Sequence, residues 1–147
     1  MKITINKYQD LTPDKLYEIL KLRSEVFVVE QNCAYQDLDN KDQKALHLIV
    51  EEKNKIIAYT RIFKKGDFFK NSSIGRVLVK KEHRRKDLGK TIMIKSIEQI
   101  KKDKNEKKIE LSAQKYLLKF YLELGFKKIG KEYLEDGIPH VKMILKI

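Results

Sequence analysis

The sequence has a single cysteine and no long apolar run, and these absences exclude several classes of protein. Cys33, alone among 147 residues, cannot form an internal disulfide, and no Cys/His cluster has the spacing of a zinc site. The amino end lacks the apolar core of a signal peptide, and runs such as Val26 to Val29 are far too short to span a membrane. We therefore expect a cytoplasmic protein with no metal. Cys33 is then incidental, unless a histidine beside it makes it a nucleophile.

The composition is that of one globular domain in which charge is unevenly distributed. A hydrophobic content of 41% supports a real core, and 147 residues are too few for two ordinary domains, so residues 1–147 are expected to form a single domain. Residues 1–60 hold nine Lys and Arg against ten Asp and Glu, whereas residues 61–147 hold 24 against 11. This excess suits a polyanionic ligand, either a nucleotide cofactor or a nucleic acid, or else it is a solvated lysine-rich surface.

A strand, a basic loop and a helix start follow one another between residues 74 and 102. The segment 74–80 has the β-branched content of a buried strand. After a charged turn, apolar residues return at helical spacing, at Leu88, Ile92, Met93, Ile97 and Ile100. A helix start leaves about four backbone N–H groups unpaired and carries a positive partial charge. The stretch therefore predicts a phosphate cradle, with mobile charge from Arg84, Arg85, Lys86 and Lys90.

The remaining patterns predict strands and helices in the order βα, β hairpin, βα, βα and ββ. The first helix begins at Thr12-Pro13 and gives way to a polar loop over 26–42. The third helix is short and ends at Gly125. Strands are expected near residues 3–5, 47–52, 55–63, 109–113, 126–132 and 141–147, with a turn over 135–140. Such an order indicates an α/β (α+β) domain with a mixed sheet and at least one parallel pair.

Charged residues of the first helix and of the loop after it are candidates for substrate binding. Arg23 lies on the apolar stripe of the helix, either with its stem along the core and its head at the surface, or in a salt bridge that shapes a substrate pocket. The loop carries spaced acids without the EF-hand pattern, so it either attracts a cationic amine or is an ordinary solvated loop. The candidates are Arg23, Glu30 and Asp37.

Two motifs resemble those of the GNAT N-acetyltransferases. The run 84–89, RRKDLG, resembles the family signature Gln/Arg-x-x-Gly-x-Gly/Ala, and residues 114–126 resemble its second motif, with Gln114 in place of the usual Asn. The segments RSEVFVVEQNCAYQDLD, HLIV and YLEDGIPHVKM are similar to the ElaA-like branch. The resemblance covers nearly the whole chain. It implies a GNAT-like single domain whose mixed, mostly antiparallel sheet has a splayed central strand pair and flanking helices.

The resemblance implies direct transfer of an acetyl group from acetyl-CoA to a primary amine, on a small molecule or a peptide, by a monomer or homodimer. It implies that the strand segment Val77, Leu78 and Val79 pairs with the pantetheine arm, and that an N–H near Leu78 stabilises the developing oxyanion. The other residues that it assigns to the cofactor are Arg84, Arg85, Lys86, Asp87, Leu88, Gly89, Lys90 and Gln114.

Asp87 departs from the family pattern, because the family usually has its first glycine there. Asp is a good N-cap, so we expect its carboxylate to bond the N–H groups of Gly89 or Lys90, in competition with the pyrophosphate. Replacing it with glycine is then expected to tighten acetyl-CoA binding and to cost a little stability.

The resemblance also suggests the catalytic groups. Tyr121 matches the tyrosine that protonates the leaving thiolate in the family, although it also lies on an apolar helical stripe typical of core aromatics. His140 is the preferred base or orienting group, and Glu110 is its rival. His47 and His83 are expected to be structural or to face solvent.

Two other functions remain open, an acyl-CoA sensor without turnover and a basic nucleic-acid-binding module. The Lys/Arg run lacks interleaved aromatic residues, and no zinc-finger or RNA-recognition signature is present. We therefore expect no nucleic-acid partner and no membrane partner.

Overall fold

A computed structural model describes residues 1–84 and 86–147, and within them seven strands form one sheet with the order β1-β2-β3-β4-β5-β7-β6. The strands are β1 Lys2–Lys7, β2 Leu46–Glu52, β3 Lys55–Phe63, β4 Ser72–Val79, β5 Lys108–Gln114, β6 Lys127–Glu135 and β7 Ile138–Lys146. The helices are α1 Pro13–Arg23, α2 Leu88–Lys101 and α3 Leu118–Glu123, and a π-helical segment Ser24–Glu30 continues α1. Short 3₁₀ turns lie at Tyr8–Asp10, Asp42–Lys44, Lys81–His83 and Lys115–Leu117.

The sheet is mixed, as the element order predicts, and mostly antiparallel, as the resemblance implies. Five of the neighbouring pairs are antiparallel, and β4 and β5 form the parallel one, with α2 as the crossover between them. Parallel neighbours need such a crossover, because a short hairpin can join only antiparallel strands.

Helices cover both faces of the sheet. On one face α1 packs Ile19 and Leu22 against Ile49 and Leu78. On the other face α2 buries the predicted stripe, whose members Leu88, Ile92, Met93, Ile97 and Ile100 are at most 8% exposed. The helical spacing therefore predicted the buried face of α2 correctly.

The helix α1 begins where the sequence predicts but continues further. The Thr12 hydroxyl accepts a hydrogen bond from the Lys15 N–H (3.1 Å), and Pro13 occupies the first turn. The predicted change to loop at Val26 is wrong, because the π-helical segment continues to Glu30. No Gly or Pro interrupts this stretch, and burial of Val26 extends the apolar face of the helix. The extension carries Glu30 to the edge of the cleft described below.

A glycine ends α3 and fixes the position of that short helix. Gly125 has φ +98°, and the N–H groups of Gly125 and Phe126 donate to the carbonyls of Leu122 (3.0 Å) and Tyr121 (3.1 Å). These two bonds form a Schellman motif, which requires a left-handed residue after the helix. The cap holds Tyr121 against Phe126, with ring centroids 6.0 Å apart.

The turn between β6 and β7 is shorter than predicted. Asp136 (φ 51°) and Gly137 (φ 76°) form a two-residue turn with left-handed conformations at both positions, so β7 begins at Ile138 rather than at Val141. Asp-Gly favours this type of turn because both residues tolerate positive φ. His140 consequently lies within β7, in register with Gln114 on β5 and Tyr133 on β6.

Candidate functional site

A gap opens between β4 and β5 in the middle of the sheet. Ladder pairs join Ser72 to Ile109 and Ser73 to Glu110, and none joins the two strands beyond these within the described residues. The splayed central pair expected from the resemblance is therefore present. The Lys80 N–H donates to the Ile57 carbonyl on β3 (2.8 Å). Hydrogen-bonded positions alternate along an antiparallel ladder, so the backbone N–H and C=O of Leu78 also point toward β3. Val77 and Val79 then present their backbone polar groups to the gap.

A β-bulge in β4 redirects one side chain at the closed end of the gap. The register between β3 and β4 shifts between Tyr59 and Arg61, and Arg76 has φ 48°, an uncommon conformation for a residue other than glycine. Arg76 side-chain atoms reach Asp37, with Nε 2.7 Å from Oδ1. The backbone groups that face the gap beside Leu78 are therefore those of Val77 and Val79, since this alternation turns the N–H of Leu78 toward β3.

The gap widens into a cleft of about 970 Å³, a volume typical of small-molecule sites. Its walls come from the π-helical segment, the loop after it, β4, the start of α2, the α3 region and the β6–β7 hairpin. Predicted site residues that line it are Glu30, Val77, Leu78, Val79, Arg84, Asp87, Leu88, Gly89, Lys90, Gln114, Tyr121 and His140. Arg23, Asp37 and Lys86 do not line it, and Arg85 lies outside the described residues.

The basic loop and the start of α2 form the open end of the cleft. Arg84 Nε donates to the Val79 carbonyl (2.9 Å), and its terminal nitrogens contact the Glu30 carboxylate at 2.7 and 3.1 Å. Gly89 lies in the first turn of α2, where a Cβ would meet Phe120 at an ordinary 3.6 Å. Packing within the protein therefore does not require glycine at this position. Lys86 is exposed beside the cleft rather than in its wall.

Asp87 adopts the conformation that a glycine would favour. Its φ of 55° and ψ of 16° place it in the left-handed region at the N-cap of α2, and its side chain makes no capping hydrogen bond. The expected bond from its carboxylate to Gly89 or Lys90 is wrong, because N-capping by a side chain needs extended backbone. Its carbonyl instead accepts from the Thr91 N–H (3.0 Å).

Tyr121 is a buried tyrosine whose hydroxyl has no hydrogen-bond partner among the residues that the structure describes. The residue is 5% exposed, lines the cleft and packs edge-on against Phe120 and Phe126. Burial, with a smaller contribution from Tyr116, raises the pKa of the Tyr121 hydroxyl above its usual range. The hydroxyl therefore keeps its proton at neutral pH.

His140 belongs to a polar cluster on the β5, β6 and β7 side of the cleft. Its Nδ1 lies 2.6 Å from the Ile138 carbonyl, which can only accept, so Nδ1 carries a proton and Nε2 is left facing the Glu135 carboxylate at 3.3 Å. The ring stacks on Tyr133, and the Tyr133 hydroxyl is hydrogen-bonded to Ser112. The Glu135 side chain is 51% exposed, so its carboxylate can give way to a substrate amine at Nε2. This arrangement suits a group that accepts a proton from substrate.

The rival base and the other two histidines occupy different environments. Glu110 accepts from Asn71 (3.2 Å), lies 3.7 Å from Lys142 Nζ and does not line the cleft, because it sits where β4 and β5 still pair. His47 is fully buried between the Tyr59 hydroxyl (2.6 Å) and the Asp42 carbonyl (2.9 Å). Burial lowers the pKa of His47, despite the opposing effect of Asp42. His83 lies half-buried near Glu52 at the rim of the cleft.

A buried ionic network supports the Arg76 wall of the cleft. Arg23, which is 0% exposed, contacts Asp37 (2.9 Å) and Asp42 (2.6 Å), so the expectation that its head lies at the surface is wrong. Arg61 bridges Asp42 and Asp39. A buried guanidinium needs such partners because an unpaired buried charge is very costly. Although burial opposes it, bonding to Arg61 holds the pKa of Asp39 below its usual range.

Two contacts bridge the sides of the cleft. Gln31 and Gln114 exchange amide hydrogen bonds at 3.2 and 3.3 Å, and the Cys33 thiol lies 3.4 Å from the Asp136 carbonyl. Reasoning from sequence missed Gln31, Arg76 and Glu135. Arg76 did leave a signal, since it is the one charge in the strand SSIGRVLV. Glu135 left none, because an acid before a turn is common.

A family model for an acetyltransferase (GNAT) domain matches residues 8–147. The chain belongs to the GNAT acetyltransferase family. Within the GNAT family it is 37% identical to protein ElaA of Escherichia coli over 142 residues, which covers 95% of this chain and 93% of that protein. The resemblance to the ElaA-like branch is thereby confirmed.

Solved GNAT structures share the whole fold. The crystal structure of E. coli ElaA has a TM-score of 0.91 at 36% identity and covers 98% of each chain. An acyl-CoA N-acyltransferase from Pseudomonas aeruginosa has a TM-score of 0.92 at 34% identity and covers 99% of each chain. The single GNAT-like α/β domain is therefore established. No helix in the described residues is both long and apolar enough to cross a membrane.

Proposed function

We propose that this GNAT domain transfers an acetyl group from acetyl-CoA directly to a primary amine. The observation that carries the proposal is the open edge of β4, which leads from a basic loop and a helix start to a cleft lined by Tyr121 and His140. An extended ligand can pair with such an edge, because the backbone groups of Val77 and Val79 have no strand partner there among the described residues.

The residues at the open end of the cleft fit a nucleotide diphosphate. The first N–H groups of α2 and the side chains of Arg84 and Lys90 supply positive charge, and Gly89 leaves room for close approach to the backbone. We assign the pyrophosphate to this cradle and the pantetheine arm to the β4 edge. Arg84 must then leave Glu30 or share its donors between the carboxylate and the phosphate. Lys86 adds only a long-range attraction.

The chemistry of transfer needs three groups, and the cleft offers a candidate for each. An amine with a pKa near about 10 must lose its proton before attack, and His140 Nε2, which the amine reaches by displacing the Glu135 carboxylate, is our base. The N–H of Val77 or Val79 faces the charge that develops on the acyl oxygen. The Tyr121 hydroxyl donates a hydrogen bond, and finally its proton, to the leaving sulfur. Acetyl-CoA itself supplies the activated acyl group.

Thiol release from acetyl-CoA, measured across a panel of amines, tests the proposal. The panel holds a polyamine, a peptide with a free amino terminus, a peptide with one internal lysine, an aminoglycoside and small amino acids. We expect amine-dependent release of thiol in at least one case, with one acetylated amine formed per thiol. If the protein instead binds acetyl-CoA saturably but no amine in the panel causes thiol release, the protein is an acyl-CoA sensor. Tight retention on DNA at moderate salt, without acetyl-CoA binding, would identify a nucleic-acid module.

A further inference from the structure

Arg76 presents an unused part of its guanidinium to the closed end of the cleft. Nε and Nη2 donate to the carboxylate and the carbonyl of Asp37, at 2.7 and 2.9 Å. Nη1 has no acceptor among the residues that the structure describes. It is also not a fully buried atom, so a ligand can reach it. The side chain is 21% exposed and lines the cleft. The outer edge of a guanidinium is suited to planar, two-point binding of a carboxylate.

The surroundings hold this guanidinium in one orientation. Tyr35 lies under it, with its ring centroid 5.9 Å from Cζ, and the Tyr35 hydroxyl also reaches Asp37 (3.3 Å). Asp37 is fixed in turn by the buried Arg23. A strained backbone at Arg76, φ 48°, aims the side chain into this frame. Such strain persists where the surrounding contacts compensate for it, and it is concentrated at functional sites.

The acids on this wall are already occupied, so they are poor sites for a substrate ammonium group. Asp39 accepts from both terminal nitrogens of Arg61 (2.8 Å each) and from the Lys41 N–H. Glu30, toward the other end of the cleft, is paired with Arg84. Arg76 Nη2 also lies 3.7 Å from Asp39 Oδ2, so the ionic group left open on this wall is the Nη1 donor of Arg76, which favours an anionic group on the acceptor.

The opposite wall offers the complementary environment. His140 and Glu135 lie across the gap, on β7 and β6, and are suited to take a proton from an amine. The contact between Cys33 and Asp136 bridges the two sides of the cleft near the β6–β7 turn. A small zwitterion would place its carboxylate at Arg76 and its amine near His140.

We infer that the acceptor is a small aminocarboxylate, of the amino-acid type, and that Arg76 Nη1 and Nη2 bind its carboxylate. This inference rests on the proposed function, since it names the acceptor of that reaction. It makes Arg76 a specificity-determining residue, with no part in acetyl-CoA binding.

Matched acceptor pairs test the inference. Each pair is an amino acid and the amine that lacks its carboxylate: alanine with ethylamine, phenylalanine with phenethylamine, and lysine with cadaverine. For each pair the ratio of kcat/KM values is compared between the wild type and Arg76→Gln, which cancels differences in amine basicity. We expect Arg76→Gln to lower the ratio by about 10- to 100-fold, the scale of a lost charged hydrogen bond. Arg76→Lys should recover part of it, and the acetyl-CoA KM should stay within about twofold.

The controls separate recognition from folding. Lys115→Gln removes an exposed cation paired with Glu132, and it should leave the ratio unchanged. If Arg76→Gln does not fold, competition in the wild type decides: 3-phenylpropanoate should compete with the amine acceptor, whereas 3-phenylpropanol should not. Equal losses for both members of each pair, or a wild type that prefers the amines without a carboxylate, would overturn the inference and leave the proposed function standing. Absence of thiol release with every pair and every amine of the wider panel would overturn the proposed function itself.

Discussion

The substitution Tyr121→Phe removes one hydroxyl from the cleft and leaves the packing of the ring in place. This hydroxyl has no partner among the described residues, and its ring packs against Phe120 and Phe126. No protein hydrogen bond is lost, so we expect the free energy of unfolding to change by less than about 0.5 kcal/mol. The acetyl-CoA affinity should also be nearly unchanged.

The effect on chemistry should be far larger than the effect on stability. Loss of a general acid costs about 100-fold in turnover, which corresponds to about 2.7 kcal/mol of transition-state stabilisation. Burial raises the pKa of Tyr121, so its hydroxyl should stay protonated from about pH 6 to 9 and should add no basic limb to the pH profile of the wild type.

The assay is single-turnover thiol release with enzyme in excess over acetyl-CoA, so that product release does not limit the rate. Tyr116→Phe is the matched control, because Tyr116 also lines the cleft but is 72% exposed. It should retain the rate of the wild type. A Tyr121→Phe enzyme with the same single-turnover rate as the wild type would refute the assignment of Tyr121 as the acid.

Four further predictions concern the cofactor end and the core. Arg84→Ala should raise the acetyl-CoA KM more than the amine KM, by an amount that shrinks with salt, and Glu30→Gln should lower the acetyl-CoA KM by releasing Arg84 from its 2.7 Å ion pair. Asp87→Gly should bind acetyl-CoA about fivefold more tightly by titration calorimetry, and Asp87→Asn should show most of the gain if charge is the cause, since Asn also tolerates positive φ. His47 has a lowered pKa in the folded protein, so the unfolded chain binds more protons as the pH falls below about 6.5. Urea melts should therefore show a free energy of unfolding that falls by at most about 1.4 kcal/mol per pH unit there, and His47→Gln should remove this slope.

Each of these predictions has an outcome that contradicts it, and for Glu30→Gln it is an unchanged or raised acetyl-CoA KM. Equal changes in both KM values for Arg84→Ala would mean that the loop does not serve the phosphates selectively. Weaker or equal binding by Asp87→Gly would mean that the carboxylate helps to order the loop. A pH slope that persists in His47→Gln would mean that the buried His47 is not its source.

The sequence predicted the fold because its local patterns and the family motifs agree. The stripe from Leu88 to Ile100 and the glycine at 125 carry their own structural reasons, namely helical periodicity and a left-handed cap. The extent of α1 could not be predicted, because a π-helical continuation has no distinctive composition. The true β6–β7 turn rests on Asp136 and Gly137, and the presence of Pro139 drew the predicted turn too far along the chain.

The candidate site was less accessible to sequence reasoning, since it depends on contacts between distant segments. Arg23 and Asp37 meet across 14 positions, and Arg76 joins them across 39. No local pattern shows that Arg23 is buried, or that its partner Asp37 does not line the cleft. The role of Arg76 depends on a bulge in β4, and the register shift that creates it appears only when β3 and β4 are paired.

The most direct test of the central claim locates the acetyl group after one turnover. The enzyme is mixed with acetyl-CoA labelled in the acetyl group, with and without an accepted amine, and protein and small molecules are then analysed by mass spectrometry. Direct transfer predicts that all transferred label is on the amine nitrogen, in a one-to-one ratio with free thiol, and that none is on the protein. Label on Cys33, which lines the cleft, would contradict direct transfer by showing a covalent acetyl-enzyme.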